Sequence, residues 1–273
     1  MKFLSFIFFL LVCISNFYSQ DFQGVATYKS HRKVDLKMGD DKMSDDMQEQ
    51  IQEQLRKQFQ QEYTLKFNGH ESIYKKEEKL DAPNPMASSG IMITISDNFG
   101  VTYKNIKENR FTEKTEILGK IFLIKDTLIS PKWELKEETK NIGDYTCFKA
   151  VNTKDVTTKT IDETGEVSTV TKPITTTVWY TPQIPINNGP ADYQGLPGLI
   201  LEINDGDLTL VCTKIVLNPQ EEISITEPDK GKVVSRTEFS EISEKKSQEQ
   251  MERFRSNHRD RKDGERVIIS IGG

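Results

Sequence analysis

The sequence predicts a mainly β (α+β) fold: curved antiparallel sheet, one amphipathic helix packed on it, and a charged C-terminal tail that can be helical or disordered. Three observations carry this. Short alternating apolar and polar runs recur along the chain, separated by Gly, Pro, Asn and Asp. One stretch, residues 44–61, repeats its apolar side chains at helical spacing. Beyond Pro219 the sequence turns charged and apolar residues thin out.

Taken in order, the chain starts with Met1-Lys2, a nearly unbroken apolar run over 3–14, and a polar exit at Tyr18-Ser19-Gln20. That is the pattern of a secretory signal. The run is shorter than the ~20 residues a bilayer crossing needs. No later segment approaches that length, so no transmembrane span is expected in the mature chain. The predicted organisation is a signal peptide over 1–20, one β-rich domain over 21–220, and a charged extension over 221–273. The expected address is the periplasm or outer envelope, or the medium outside. The chain has 37 basic and 42 acidic residues, a net charge of −5. This balance speaks against nucleic acid and anionic lipid as partners.

Residues 23–29 (QGVATYK) read as a first strand. Around 44–61, Met43, Met47, Ile51, Leu55 and Phe59 fall every four residues and form a narrow stripe suited to a sheet surface. Tyr63-Thr-Leu-Lys-Phe67 alternates into Asn68-Gly69, a hairpin signal. A two-residue loop there pairs Phe67 with His70, Leu65 with Ser72 and Tyr63 with Tyr74. Residues 81–90 (DAPNPMASSG) read as a loop. Strand-like runs follow at 91–95, 100–103 and 120–125, and 133–143 leads into a strand through Cys147. The Thr-rich stretch 156–177 reads as an exposed hairpin with Glu163-Thr-Gly165 at its tip. Residues 199–203 are apolar on both faces, so they predict a central strand. Asp205-Gly206 then turns the chain into residues 208–217, and a two-residue loop pairs Ile203 with Leu208 and Leu201 with Leu210. Residues 241–262 can be helical, and 266–273 are β-prone and able to pair with a sheet edge.

Cleavage leaves two cysteines, Cys147 and Cys212, each in a strand-like stretch. Outside the cytoplasm they can form a disulfide or stand as two separate buried thiols. Pairing needs Cα atoms within about 7 Å.

The most distinctive stretch is WYTPQIPINNGPADYQGLPGLILEI, 179–203. Pro182 and Pro185 forbid regular ladder pairing, so the chain must cross a surface extended. Gly195-Leu196-Pro197-Gly198 is a turn that admits unusual φ values, and Leu199-Ile200 opens the buried strand. Trp179, Tyr180 and Tyr193 beside these prolines are candidates for an aromatic wall that holds an apolar or peptide ligand. The alternative is a structural corner that locks one strand beneath a crossing segment. A phosphate loop requires a helix after its glycines, and here a strand follows.

With its unchanged Gly195-Leu-Pro-Gly-Leu-Ile200 string, the preceding WYTPQIPINNGP run, Trp133 and Tyr145-Thr-Cys-Phe-Lys-Ala150, the chain resembles the GLPGLI family. The resemblance implies an exported protein of Bacteroidota and assigns no biochemical role. No Gly-x-Ser-x-Gly or His-Glu-x-x-His occurs, and the three histidines are far apart. The 42 acids leave a paired-carboxylate hydrolase open as a minor reading. The expectation is a non-enzymatic envelope binding or accessory protein, without metal or cofactor. The alternative is a docking subunit of an outer-membrane assembly or transporter, acting through a sheet edge or the tail.

Overall fold

The computed structural model describes residues 22–32, 60–77, 92–95, 100–161, 167–206, 208–259 and 268–271. Its strands are β1 (Gln23–Arg32), β2 (Glu62–Asn68), β3 (Glu71–Lys76), β4 (Met92–Ile95), β5 (Val101–Asn105), β6 (Arg110–Ile117) and β7 (Lys120–Thr127). They continue with β8 (Glu134–Ile142), β9 (Tyr145–Ile161), β10 (Val167–Thr181), β11 (Leu199–Asn204), β12 (Leu208–Leu217), β13 (Lys232–Val234) and β14 (Ile268–Ile271). Among the described residues one helix, α1 (Arg236–Arg259), lies between β13 and β14. Twelve strands form one sheet in the order β13-β7-β6-β5-β3-β2-β1-β12-β11-β10-β9-β8. Its pairings are antiparallel except β13 on β7, which is parallel. The terminal β-prone residues pair within the chain, but not on this sheet: β14 joins β4 in a separate parallel pair.

The sheet must be strongly curved. β7 and β8 are ten strand spacings apart in the sheet order, about 48 Å if the sheet were flat. The link between them, 128–133, can span at most ~25 Å. Only a rolled sheet lets the link close that distance, so the expected curvature is present and the concave side becomes an interior.

Both turn signals mark hairpins, and both hairpins slip by the same step. Phe67 faces Ser72 and Leu65 faces Tyr74, so Gly69 and His70 are the central turn residues. Asn68 instead caps the turn: its Oδ1 accepts the N–H groups of His70 (2.9 Å) and Glu71 (2.7 Å). At the second turn Ile203 faces Leu210, and Asn204 Oδ1 accepts the Gly206 N–H at 3.2 Å. Gly206, at φ 90°, occupies the first central position, where a type II′ turn requires positive φ. Tyr63 and Tyr74 thus meet diagonally, with stacked rings 5.2 Å apart.

The stripe over 43–59, the loop over 81–90, the hairpin tip over 162–166 and the signal over 1–20 lie outside the described residues. β6 was not among the predicted strands. Its RFTEKTEI sequence lacks an apolar face, and its polar Thr112 is buried because its hydroxyl donates to Glu227 at 2.6 Å. Burial tends to raise the Glu227 carboxyl, but hydrogen bonds from Thr112, Lys125 and Arg110 outweigh it and hold the pKa at about 2. Residues 221–234 are thereby tied to β6 and β7.

Two apolar clusters result. The larger fills the roll with Tyr28, Tyr63, Leu65, Phe67 and Tyr74 from β1–β3 and Leu199, Leu201, Ile203 and Leu210 from β11–β12. The crossing segment 182–198 adds Ile184, Ile186 and Leu196 to it. The smaller joins Phe111, Phe122, Ile124 and Val234 to Phe239 and Ile242 of α1.

Candidate functional site

The Gly195–Ile200 motif forms a corner. Ile184 donates its N–H to Thr181 O, and Leu199 donates to Ile184 O at 3.0 Å. Ile200 donates to Asn188 O at 3.0 Å, and Tyr28 Oη donates to Ile200 O at 2.8 Å. The strand therefore lies beneath the segment that precedes it. A Cβ on Gly198 would sit 2.2 Å from Thr181 O, backbone against side chain. Gly195 takes φ 92°, and a Cβ there would meet Ser130 at 2.9 Å. Trp133 Nε1 fastens the corner by donating to Gln194 O at 2.7 Å.

The three candidate aromatics are held by three different partners. Trp179 is half-buried at the edge of the larger core cluster, with Lys140 Nζ 4.4 Å above its ring and Lys140 paired to Glu202 at 2.7 Å. Tyr180 is buried against Phe148 at 6.1 Å. Tyr193 packs on Trp133 at 6.5 Å, and its hydroxyl donates to Asp205 at 3.2 Å. Cys147 and Cys212 are free buried thiols on strands separated by β10 and β11, which is the second of the two readings. Burial raises Cys147 to about 11 and Cys212 to about 12, so neither is a ready nucleophile.

A different group of residues converges nearby. Lys104 on β5 faces Phe111 on β6, and Thr102 faces Glu113. The alternation of each strand puts these four side chains on one side. The crossing segment supplies Asp192 and Gln194 opposite them, and α1 supplies its first residue, Arg236. Together they line a cleft of about 170 Å³, with Leu128 and Ile129 as its apolar rim.

The cleft's electrostatics are unusual for so small a space. Lys104 is fully buried, and its Nζ donates to Gly189 O at 2.8 Å and Tyr193 O at 3.1 Å. Burial lowers its pKa to about 7, against a smaller upward pull from Asp192. Burial also raises the Glu113 carboxyl, which Arg236 partly offsets and Asp192 reinforces. Arg236 stacks on Phe111 at 4.7 Å and approaches Asp192 at 4.0 Å. Gln194 is 4% exposed, and its Oε1 has no partner among the described residues. A buried acceptor without a donor is destabilising by about 1–3 kcal/mol, and the residue that carries it is one of those lining the cleft.

Sequence reasoning passed over Lys104, Glu113, Asp192, Gln194 and Arg236, because each reads as an ordinary surface residue. Among the described residues, no group of three His, Cys, Asp or Glu side chains could hold a metal ion. Among them too, no helix is long and apolar enough to cross a membrane.

Residues 133–202 match the family model described as "Protein of unknown function (Porph_ging)", which is the domain of the GLPGLI family. The match runs from Trp133, which fastens the corner, to β11, which lies beneath it. No curated protein matches the chain. Among solved structures, two crystal forms of PNGF-II resemble it, each at 15% identity and TM-score 0.48 over 82% of this chain. The chain spans about a third of the PNGF-II length, 33% of that chain.

Proposed function

We propose that this protein, whose residues 133–202 match the Porph_ging family model, is an exported, non-enzymatic binding protein of the cell envelope. Its ligand seat is the cleft between β5–β6, the crossing segment and the start of α1. The observation that carries this reading is the buried, unpartnered Gln194 Oε1 beside a buried lysine at an open cleft. The ligand is smaller and more polar than the apolar or peptide ligand expected from Trp179, Tyr180 and Tyr193. The interior of the roll is filled by side chains such as Tyr28, Phe67 and Tyr74, each 0% exposed.

The test exposes the purified mature chain to cell-envelope extract and identifies retained molecules by native mass spectrometry. Amide chemical shifts then locate them. A retained small molecule that perturbs Lys104, Gln194 and Arg236 supports the reading. Nothing retained, or shifts confined to the surroundings of Trp179, overturns it.

A second reading, a docking subunit of an outer-membrane assembly, is favoured by the β9–β10 hairpin. β8 pairs with β9 only as far as Val151, and β11 reaches β10 only to Thr177. Beyond these points 152–161 and 167–176 pair only with each other among the described residues. An isolated two-stranded arm is marginally stable alone, which suits a segment completed by a partner. Crosslinking from the arm in native membranes tests this, and an arm that captures no envelope protein rules it out.

A further inference from the structure

We propose that the cleft takes a small zwitterion, a molecule of amino-acid size bearing one ammonium and one carboxylate, with Gln194 and Glu113 facing the ammonium and Arg236 the carboxylate. This rests on the cleft being a ligand seat and goes on to name the ligand's chemistry.

Four observations lead there. The first is charge balance. Lys104 and Arg236 stand against Glu113 and Asp192 around one cleft. A plain anion brought here meets two carboxylates, and a plain cation meets two basic side chains. A molecule carrying both charges satisfies both sides, because each of its ends faces its opposite.

The second is the orphaned acceptor. An amide oxygen can only accept, so Gln194 Oε1 requires a donor from outside. A carboxylate or sulfonate without an ammonium would leave it unpaired. An ammonium supplies three N–H groups and can serve Gln194 and a neighbouring carboxylate together.

The third is the condition of the two basic residues. Lys104 already donates to Gly189 O and Tyr193 O. It is therefore a positioning residue that fixes the stretch bearing Asp192 and Gln194. Arg236 is less committed: its nearest acid, Asp192, is 4.0 Å away, and its side chain is 50% exposed. Its Cζ lies 4.7 Å from the centroid of the Phe111 ring, a cation–π contact that occupies none of the guanidinium N–H groups. A planar fork with free edge hydrogens matches a carboxylate with two parallel bonds.

The fourth is size. About 170 Å³ falls below the ~300 Å³ at which drug-sized pockets begin. That space matches a molecule of free amino-acid size better than a nucleotide, a lipid or a folded peptide.

The experiment is calorimetric titration and thermal melting of the full mature chain with glycine, L-alanine, L-serine and L-aspartate. N-acetyl-L-alanine and L-alaninamide run beside them. The blocked compounds each lack one charge and also represent the C-terminal and N-terminal ends of a peptide. At least one free amino acid is expected to give a saturable heat and a rise in Tm, with both blocked compounds weaker by tenfold or more. Gln194→Leu is expected to weaken binding tenfold or more without lowering the ligand-free Tm, since Oε1 has no partner to lose. Arg236→Gln should weaken binding similarly.

Equal binding of either blocked compound overturns the zwitterion assignment while the ligand seat stands. Undiminished binding by Gln194→Leu overturns it too. So does a failure of every amino acid to bind when the envelope extract yields a retained molecule at the cleft. If the extract also yields nothing, the ligand seat itself falls with it.

Discussion

Two covers close the rolled sheet, and they are held by different means. Residues 182–198 cover the β1–β3 and β10–β12 side through main-chain hydrogen bonds and close backbone approaches at Gly195 and Gly198. Helix α1 covers β7 through side chains, with Phe239 edge-on to Phe122 at 5.6 Å and Ile242 beside it. A cover locked by backbone cannot shift without breaking the core beneath it. A cover held mainly by side chains can loosen alone. The cleft lies at the seam between them, with Asp192 and Gln194 from the first cover and Arg236 from the second. No donor from either cover reaches the Gln194 acceptor, so the polar opportunity falls where the two meet.

The largest expected effect breaks the first cover. Gly198→Ala places a methyl 2.2 Å from Thr181 O, and no rotamer change relieves a clash with backbone. Urea unfolding should show a loss of about 4 kcal/mol or more, or no cooperative transition at all. Gly69→Ala is the comparator, because nothing lies within 4 Å of its added carbon; it should stay within about 1 kcal/mol of wild type. Equal effects of the two substitutions would remove the claim that backbone locking distinguishes the corner.

At the seam, Lys104→Met leaves the Gly189 and Tyr193 carbonyls without their donor, a loss of about 1–3 kcal/mol that depends on pH. Burial holds the folded-state pKa near 7, below its unfolded value of ~10.4. Between these values the unfolded chain binds a proton that the folded chain does not. Wild-type stability therefore rises relative to Lys104→Met as pH climbs from about 7 towards 10. The raised tyrosines titrate in both proteins and cancel in the difference. Parallel stability curves across this range would contradict the burial of Lys104 against the segment.

How much of this could be read beforehand follows the same divide. The corner was legible: prolines that bar pairing, glycines that admit close approach, and a strand apolar on both faces were all visible as local chemistry. The hairpins were legible in place but not in register, because Asn68 acts as a turn acceptor rather than as a central residue, and Asp205 pairs with Leu208 instead of sitting at the centre of its turn. The seam was not legible at all. Lys104 is buried by acceptors 85 and 89 residues away, and no local pattern marks a lysine for such a fate. The helix start was there to be read, since Ser235-Arg-Thr-Glu238 has capping-box spacing; the predicted helix began at 241, five residues late.

Removing the second cover's main contact should have a smaller and more local effect. Phe239→Ala takes away the ring on Phe122 and should lower stability by about 1–2 kcal/mol, less than a fully buried Phe→Ala change. Hydrogen exchange should accelerate along α1 while β1, β2 and β11 keep their protection. A uniform loss of protection would mean that the two covers unfold as one unit.

The smallest expected effect concerns the first turn of α1. Ser235 donates its N–H to Glu238 Oε2 at 2.7 Å, and Glu238 returns its N–H to Ser235 Oγ at 3.2 Å. The next N–H, of Arg236, goes to Asp126 at the end of β7 at 3.2 Å. These bonds fix where the helix begins and hence where the Arg236 guanidinium sits over Phe111. Ser235→Ala removes one half of the reciprocal pair, about 1 kcal/mol of local helix stability. Amide exchange in the first turn should quicken severalfold with the global transition nearly unmoved. The Glu238 carboxyl is held below its ordinary range, chiefly by the Ser235 N–H, so its support is present above the ordinary carboxylate pKa and fades as pH falls through the lowered value. If the cleft binds through Arg236, Ser235→Ala should weaken ligand binding by more than its small effect on the melt. An affinity unchanged by a frayed first turn would place Arg236 outside the binding set and leave the seat to Lys104, Glu113 and Gln194.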